Sequence, residues 1–112
     1  MDGFLFLDKA KFHTSFAGDV CNQLAGFMQA SQVPFGLEGA GGKVSDPAWQ
    51  TRPSCYLLTI NDKMIPPRVQ KLMADRAKSQ VTEVAASHAV YVSQPKAVAR
   101  IIEKAAQALS AK

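Results

Sequence analysis

With 112 residues the chain has room for one domain, and an apolar content of 47% argues against disorder. Its 13 basic residues against 9 acidic ones leave a net charge of +4, but the bases are scattered and lack the interleaved aromatics of a nucleic-acid stripe, which excludes nucleic acid as a partner. The start, "MDGFLFLDKAKF", has no basic lead into a long apolar run, so neither a signal peptide nor a membrane span is expected and a cytoplasmic location is.

"DGFLFLD" reads as a short extended lead-in. Asp8 is expected to N-cap a helix over residues 9–17, with Phe12 and Phe16 four apart on one face and Gly18 as its end. Asp19 is expected to cap a second helix, residues 20–31, whose apolar face is Val20, Leu24, Phe27 and Met28. Pro34, "GLEGAGG" and "SDPAW" make residues 33–53 a loop. The glycines there lack the spacing of a phosphate loop and no strand precedes them. "CYLLTI", residues 55–60, is a continuous apolar run of the kind found in strands buried on both faces of a parallel sheet. Pro66 and Pro67 permit a helix start, and the spacing predicts a helix over 67–78 with Val69, Leu72, Met73 and Ala77 on its apolar stripe. "VTEVA", residues 81–85, is a second strand, and both strands read as buried on two faces. "SHAVYVSQP" is a loop with one helical turn, and residues 95–110 form a last helix striped with Val98, Ile101, Ile102, Ala105 and Leu109. The fold class is therefore α/β. A helical region and loop, residues 1–53, precede a strand–helix–strand–helix unit, residues 54–112, with two parallel strands.

Several residues read as structural. Cys21 and Cys55 lie 34 positions apart with no metal spacing and no CxxC, as two reduced, buried thiols would. Arg68, Lys71, Arg76 and Lys78 fit the wet face of one helix. His13 reads as an exposed surface histidine and Trp49 as a cover over loop surface. No metal and no organic cofactor is expected.

In an open α/β sheet, chemistry gathers outside the C-terminal ends of the parallel strands. Asp62 falls two residues after the first expected strand and His88 three after the second. Neighbouring strands would bring both side chains to one edge. A carboxylate beside an imidazole fixes its tautomer and stabilises the imidazolium, which is what a general base needs in order to activate a hydroxyl.

"YLLTINDKMIPP", followed by "VTEVAASHAVYVSQPKAVARII", resembles the C-terminal third of an α/β-hydrolase. In that family the acid follows a late strand in a D-x-x-x-P context, matched here by Asp62 and Pro66. The histidine follows the last strand, ahead of a P-x-x-V-A-x-x-I helix, matched by His88, Pro95, Val98, Ala99 and Ile102. "DGFLFLDKAKFHTSFAGDVCNQLAGFMQASQVP" is similar to the lid of small esterase-like members, so the resemblance runs over nearly the whole chain. It implies an ester or lactone hydrolase fold with His88 and Asp62 as catalytic residues. Phe12, Phe16, Phe27 and Met28 either line an acyl pocket or serve plain helix packing.

The family's nucleophile sits in a G-x-S-x-G elbow upstream of the lid, and no serine in this sequence has that setting. The expectation is a C-terminal portion of a hydrolase, from a truncated frame, a split gene or a fragment. It would be inactive alone and would take a small-molecule ester only when completed by an N-terminal half. The alternative is a non-enzymatic module, derived from the same fold, for binding or self-association through its open strand edge.

Overall fold

The computed structural model describes residues 2–111. The extended lead-in becomes a two-residue strand, β1 (Phe4–Leu5), paired antiparallel with β2 (Phe35–Gly36). The side chain of Gln32 clasps the same region, accepting from the Leu7 amide at 2.9 Å and donating to the Leu7 carbonyl at 3.2 Å. Between these lie α1 (Phe12–Phe16) and α2 (Asn22–Ala30). Residues 33–53 are not all loop. Besides β2 they hold a one-turn helix, α3 (Leu37–Gly41), and a 3-10 turn (Ala48–Gln50). Glu38 in the first turn of α3 suits the positive end of the helix dipole.

Neither expected aspartate cap is used as one. Asp8 instead closes a turn, accepting the Ala10 amide at 2.8 Å on its side chain and the Lys11 amide at 3.0 Å on its carbonyl. This delays α1 to Phe12. At α2 the N-cap is Cys21, with no side-chain bond, because Asp19 is engaged elsewhere. His13 is not a free surface residue either. Its Nε2 lies 2.7 Å from the Val20 carbonyl and ties α1 to the start of α2.

The back half forms as expected: β3 (Cys55–Thr59), α4 (Pro67–Arg76), β4 (Gln80–Val84), α5 (Val90–Ser93) and α6 (Pro95–Ser110). Strands β3 and β4 run parallel, in register from Cys55 opposite Gln80 to Thr59 opposite Val84. Helix α4 stops in a Schellman turn. Lys78 takes φ 53°, the Ser79 amide reaches the Ala74 carbonyl at 2.9 Å, and the Lys78 amide reaches that of Asp75 at 3.0 Å. The hydroxyls of Ser79 and Ser54 meet at 2.7 Å and hold the entry to β4 beside the entry to β3. The Arg76 guanidinium lies 5.2 Å from the Trp49 ring centre, so the tryptophan covers the end of α4 as well as loop surface.

Burial differs from expectation in three places. Helices α4 and α6 pack chiefly on β3, and β4 is largely exposed rather than buried on two faces. Both cysteines are exposed, because Cys21 caps α2 from just outside it and Cys55 opens β3, so neither stands inside its element. Helix α4 buries Gln70 and Ala74, whereas Leu72 of the expected stripe is 62% exposed. Gln70 is drawn inward by the bonds described below.

The small core joins both ends of the chain. Phe12, Ala17, Val20 and Ala25 pack with Ala89, and Leu7, Phe16, Met28 and Val92 close around them. Helices α1 and α2 thus rest on the segment after β4. The total exposed surface is 8453 Å². A compact monomer of this mass shows roughly 6,000 Å². The radius of gyration, 15.9 Å, likewise exceeds the roughly 13 Å of a compact chain of this length.

Candidate active site

The strand ladder does not stop at Thr59 and Val84. The Ile60 amide bonds the Val84 carbonyl at 3.0 Å, and the Asn61 amide bonds that of Ala86 at 3.2 Å. The two outgoing loops therefore leave the sheet zipped together. Asp62 and His88 consequently meet, with His88 Nδ1 2.8 Å from Asp62 Oδ2.

Asp62 is the centre of a wider network. Its Oδ1 accepts the amides of Met64 at 2.8 Å and Ile65 at 3.0 Å. Its Oδ2 accepts from Thr59 Oγ1 at 3.0 Å and Gln70 Nε2 at 3.3 Å, besides His88. Gln70 in turn accepts the Thr59 amide at 3.1 Å and donates to the Ile65 carbonyl at 2.8 Å. This explains why a glutamine, and not the apolar stripe, faces inward on α4. Neither Gln70 nor Thr59 stood out in the sequence. The usable signal was a glutamine in the first turn of a helix that follows D-x-x-x-P.

The Asp62 side chain is 3% exposed and that of His88 30%. Burial alone pushes the Asp62 carboxyl up. The bonds from the Ile65 amide, His88, the Met64 amide and Thr59 outweigh it and hold the group below the usual carboxylate range. An ionised carboxylate only accepts, so the proton between the pair sits on His88 Nδ1. The Nε2 lone pair is left as the basic position. Among the described residues the ring has no other hydrogen bond. The arrangement can take a proton at Nε2 and stabilise the resulting imidazolium.

The depressed carboxyl also sets a pH dependence. Its folded pKa lies below the ordinary aspartate value of 3.8, so the unfolded chain binds the proton more readily. Stability from this group is present above that value and is lost as pH falls through the folded pKa. Asp19, also below its ordinary value, acts in the same direction. Melting temperature should fall as pH drops from about 5 towards 3, and unchanged melts across that window would contradict the assignment.

The surroundings of the pair come from the helical region. The Phe16 ring meets the His88 ring edge-on at 4.8 Å and stacks on Phe12 at 5.1 Å. Met28 packs against the core beside them, whereas Phe27 is 68% exposed and is not brought to the pair. A cleft of about 210 Å³, lined by Ser54, Cys55, Gln80 and Leu109 among others, opens where the strands begin, at the opposite end of the sheet. Among the described residues no cluster could hold a metal ion, and no helix is long and apolar enough to cross a membrane.

A strand-end aspartate in D-x-x-x-P context is thus hydrogen-bonded to a histidine that follows the next parallel strand. Residues 3–101 match the model of the alpha/beta hydrolase family. The chain belongs to that family. No curated protein matches it. Asp62 and His88 lie just beyond the C-terminal ends of the two parallel strands, the edge at which open α/β sheets carry their ligands.

Proposed function

We propose that this chain supplies the acid and the histidine of a Ser-His-Asp centre for ester or lactone hydrolysis, and that the serine comes from polypeptide outside this sequence. The observation that carries the proposal is the 2.8 Å bond from His88 Nδ1 to Asp62 at the zipped strand ends. Asp62 orients the ring and steadies its positive charge. His88 Nε2 takes the proton from the serine hydroxyl as it attacks the ester carbonyl, then returns it to the leaving alcohol. Residues 1–53 act as the lid-like part and residues 54–112 as the body that presents the pair. Phe16 is the best supported pocket wall, with Met28 and Phe27 further out on α2. Without the serine and an oxyanion hole the chain is inactive alone. A cytoplasmic setting accords with the two free thiols.

The uncovered surface supports the missing partner. The excess over a compact monomer, roughly 2,400 Å², is three times the roughly 800 Å² that each partner buries in a standard interface. It includes the free edge of the strand pair and apolar side chains such as Leu72 of α4 and Ile102 of α6, each 62% exposed. The same surface supports a second reading, a module whose role is association with its own kind. Light scattering should show the purified chain as dimers or larger species. A dispersed monomer with a cooperative melt would sink the claim that this surface needs a cover.

A further inference from the structure

Asp19 lies on the turn between α1 and α2, where it would be expected to cap α2. It leaves that helix uncapped. Its carboxylate reaches across the molecule to the segment around His88. Oδ2 accepts the Ser87 amide at 3.1 Å and the Ser93 hydroxyl at 2.8 Å, and Oδ1 accepts the Ser87 hydroxyl. Ser87 directly precedes His88. On the other side, the Ala89 amide bonds the Phe16 carbonyl at 3.0 Å, two residues before the turn that carries Asp19 begins. The Phe16 ring completes the grip on the imidazole. His88 is thus held from both chain neighbours by the end of α1 and the turn that follows it.

We propose that Asp19 is a positioning residue for His88: by fixing Ser87 and Ser93 it keeps the imidazole in line with Asp62, so the helical region governs the state of the acid–histidine pair. The proposal rests on the catalytic reading of that pair. Three donors converge on two oxygens, and one of them, the Ser87 amide, cannot reverse its role. An acceptor oxygen is therefore required opposite that amide, and a carboxylate meets it while letting both hydroxyls donate. Asparagine could keep the Ser87 amide on its oxygen only by turning its amino group to the Ser87 hydroxyl, which must then reverse from donor to acceptor, and the charge that strengthens all three bonds would be lost. The effect would pass to His88 through a single peptide unit.

The test is magic-angle-spinning NMR of chain labelled with nitrogen-15 in histidine, which works whatever the state of association, with His13→Gln assigning the two rings. In the wild type, His88 should show one tautomer, protonated at Nδ1. Asp62→Asn should release it to a mixture. Asp19→Asn, with helix content unchanged by circular dichroism, should shift the population the same way by at least twofold. Wild-type His88 signals in Asp19→Asn would overturn the proposal while leaving the pair intact. A tautomer mixture in the wild type, unchanged by Asp62→Asn, would overturn the catalytic reading itself. If Asp19→Asn does not fold, Ser93→Ala carries the test. It removes one of the three bonds, and His88 signals identical to wild type would again overturn the proposal.

Discussion

Replacing Asp62 by alanine is expected to cost about 3–5 kcal/mol of stability, the range for stranding partners of a buried charge. Five donors end on this carboxylate: the Met64 and Ile65 amides, Thr59 Oγ1, Gln70 Nε2 and His88 Nδ1. Thr59 and Gln70 are themselves buried, so water cannot replace what they lose. The loss is a large fraction of the about 5–15 kcal/mol that holds a typical domain, and this core is small. His88→Ala, by contrast, removes a partly exposed ring with one hydrogen bond and should cost about 1 kcal/mol. Urea unfolding followed by circular dichroism measures both. Equal costs for the two substitutions would mean that Asp62 is no hub and that the pair stands alone.

The back half of the chain was legible in the sequence because its signals are local. A continuous apolar run, a proline pair at a helix start and regular apolar spacing to Leu109 each depend on neighbours only a few positions away. The pairing of Asp62 with His88 followed from those elements, since two parallel neighbouring strands must deliver their next residues to one edge. The α/β-hydrolase resemblance pointed to the same two residues. What the sequence hid were the choices made by polar groups across long separations. Asp8 and Asp19 both look like helix caps, but Asp8 turns back on its own chain and Asp19 reaches 68 residues onward to Ser87. Gln70 lay outside the expected apolar stripe, yet its amide bonds Thr59, Ile65 and Asp62 together. Those bonds turned α4 away from the apolar stripe that periodicity had picked out. Strand burial failed for another reason. An apolar run states that a strand should be covered on both faces, and here α4 and α6 pack chiefly on β3 and leave β4 largely exposed.

The central claim is that His88 and Asp62 form a working acid–histidine pair that lacks its nucleophile. The most direct measurement is burst kinetics with nitrophenyl acetate, on the chain alone and after adding a polypeptide that carries a strand, a G-x-S-x-G elbow and its helix from a related hydrolase. Alone, the chain offers a base but no positioned hydroxyl and no oxyanion hole, and the loss of even one oxyanion donor costs on the order of 100–1,000-fold in turnover. The expected result is no burst from the isolated chain and a rate close to that of free imidazole. Turnover should appear on mixing, vanish with His88→Ala and fall steeply with Asp62→Asn, which leaves the ring in the wrong tautomer. A burst from the isolated chain, abolished by His88→Ala, would reveal a nucleophile within these 112 residues and contradict the account.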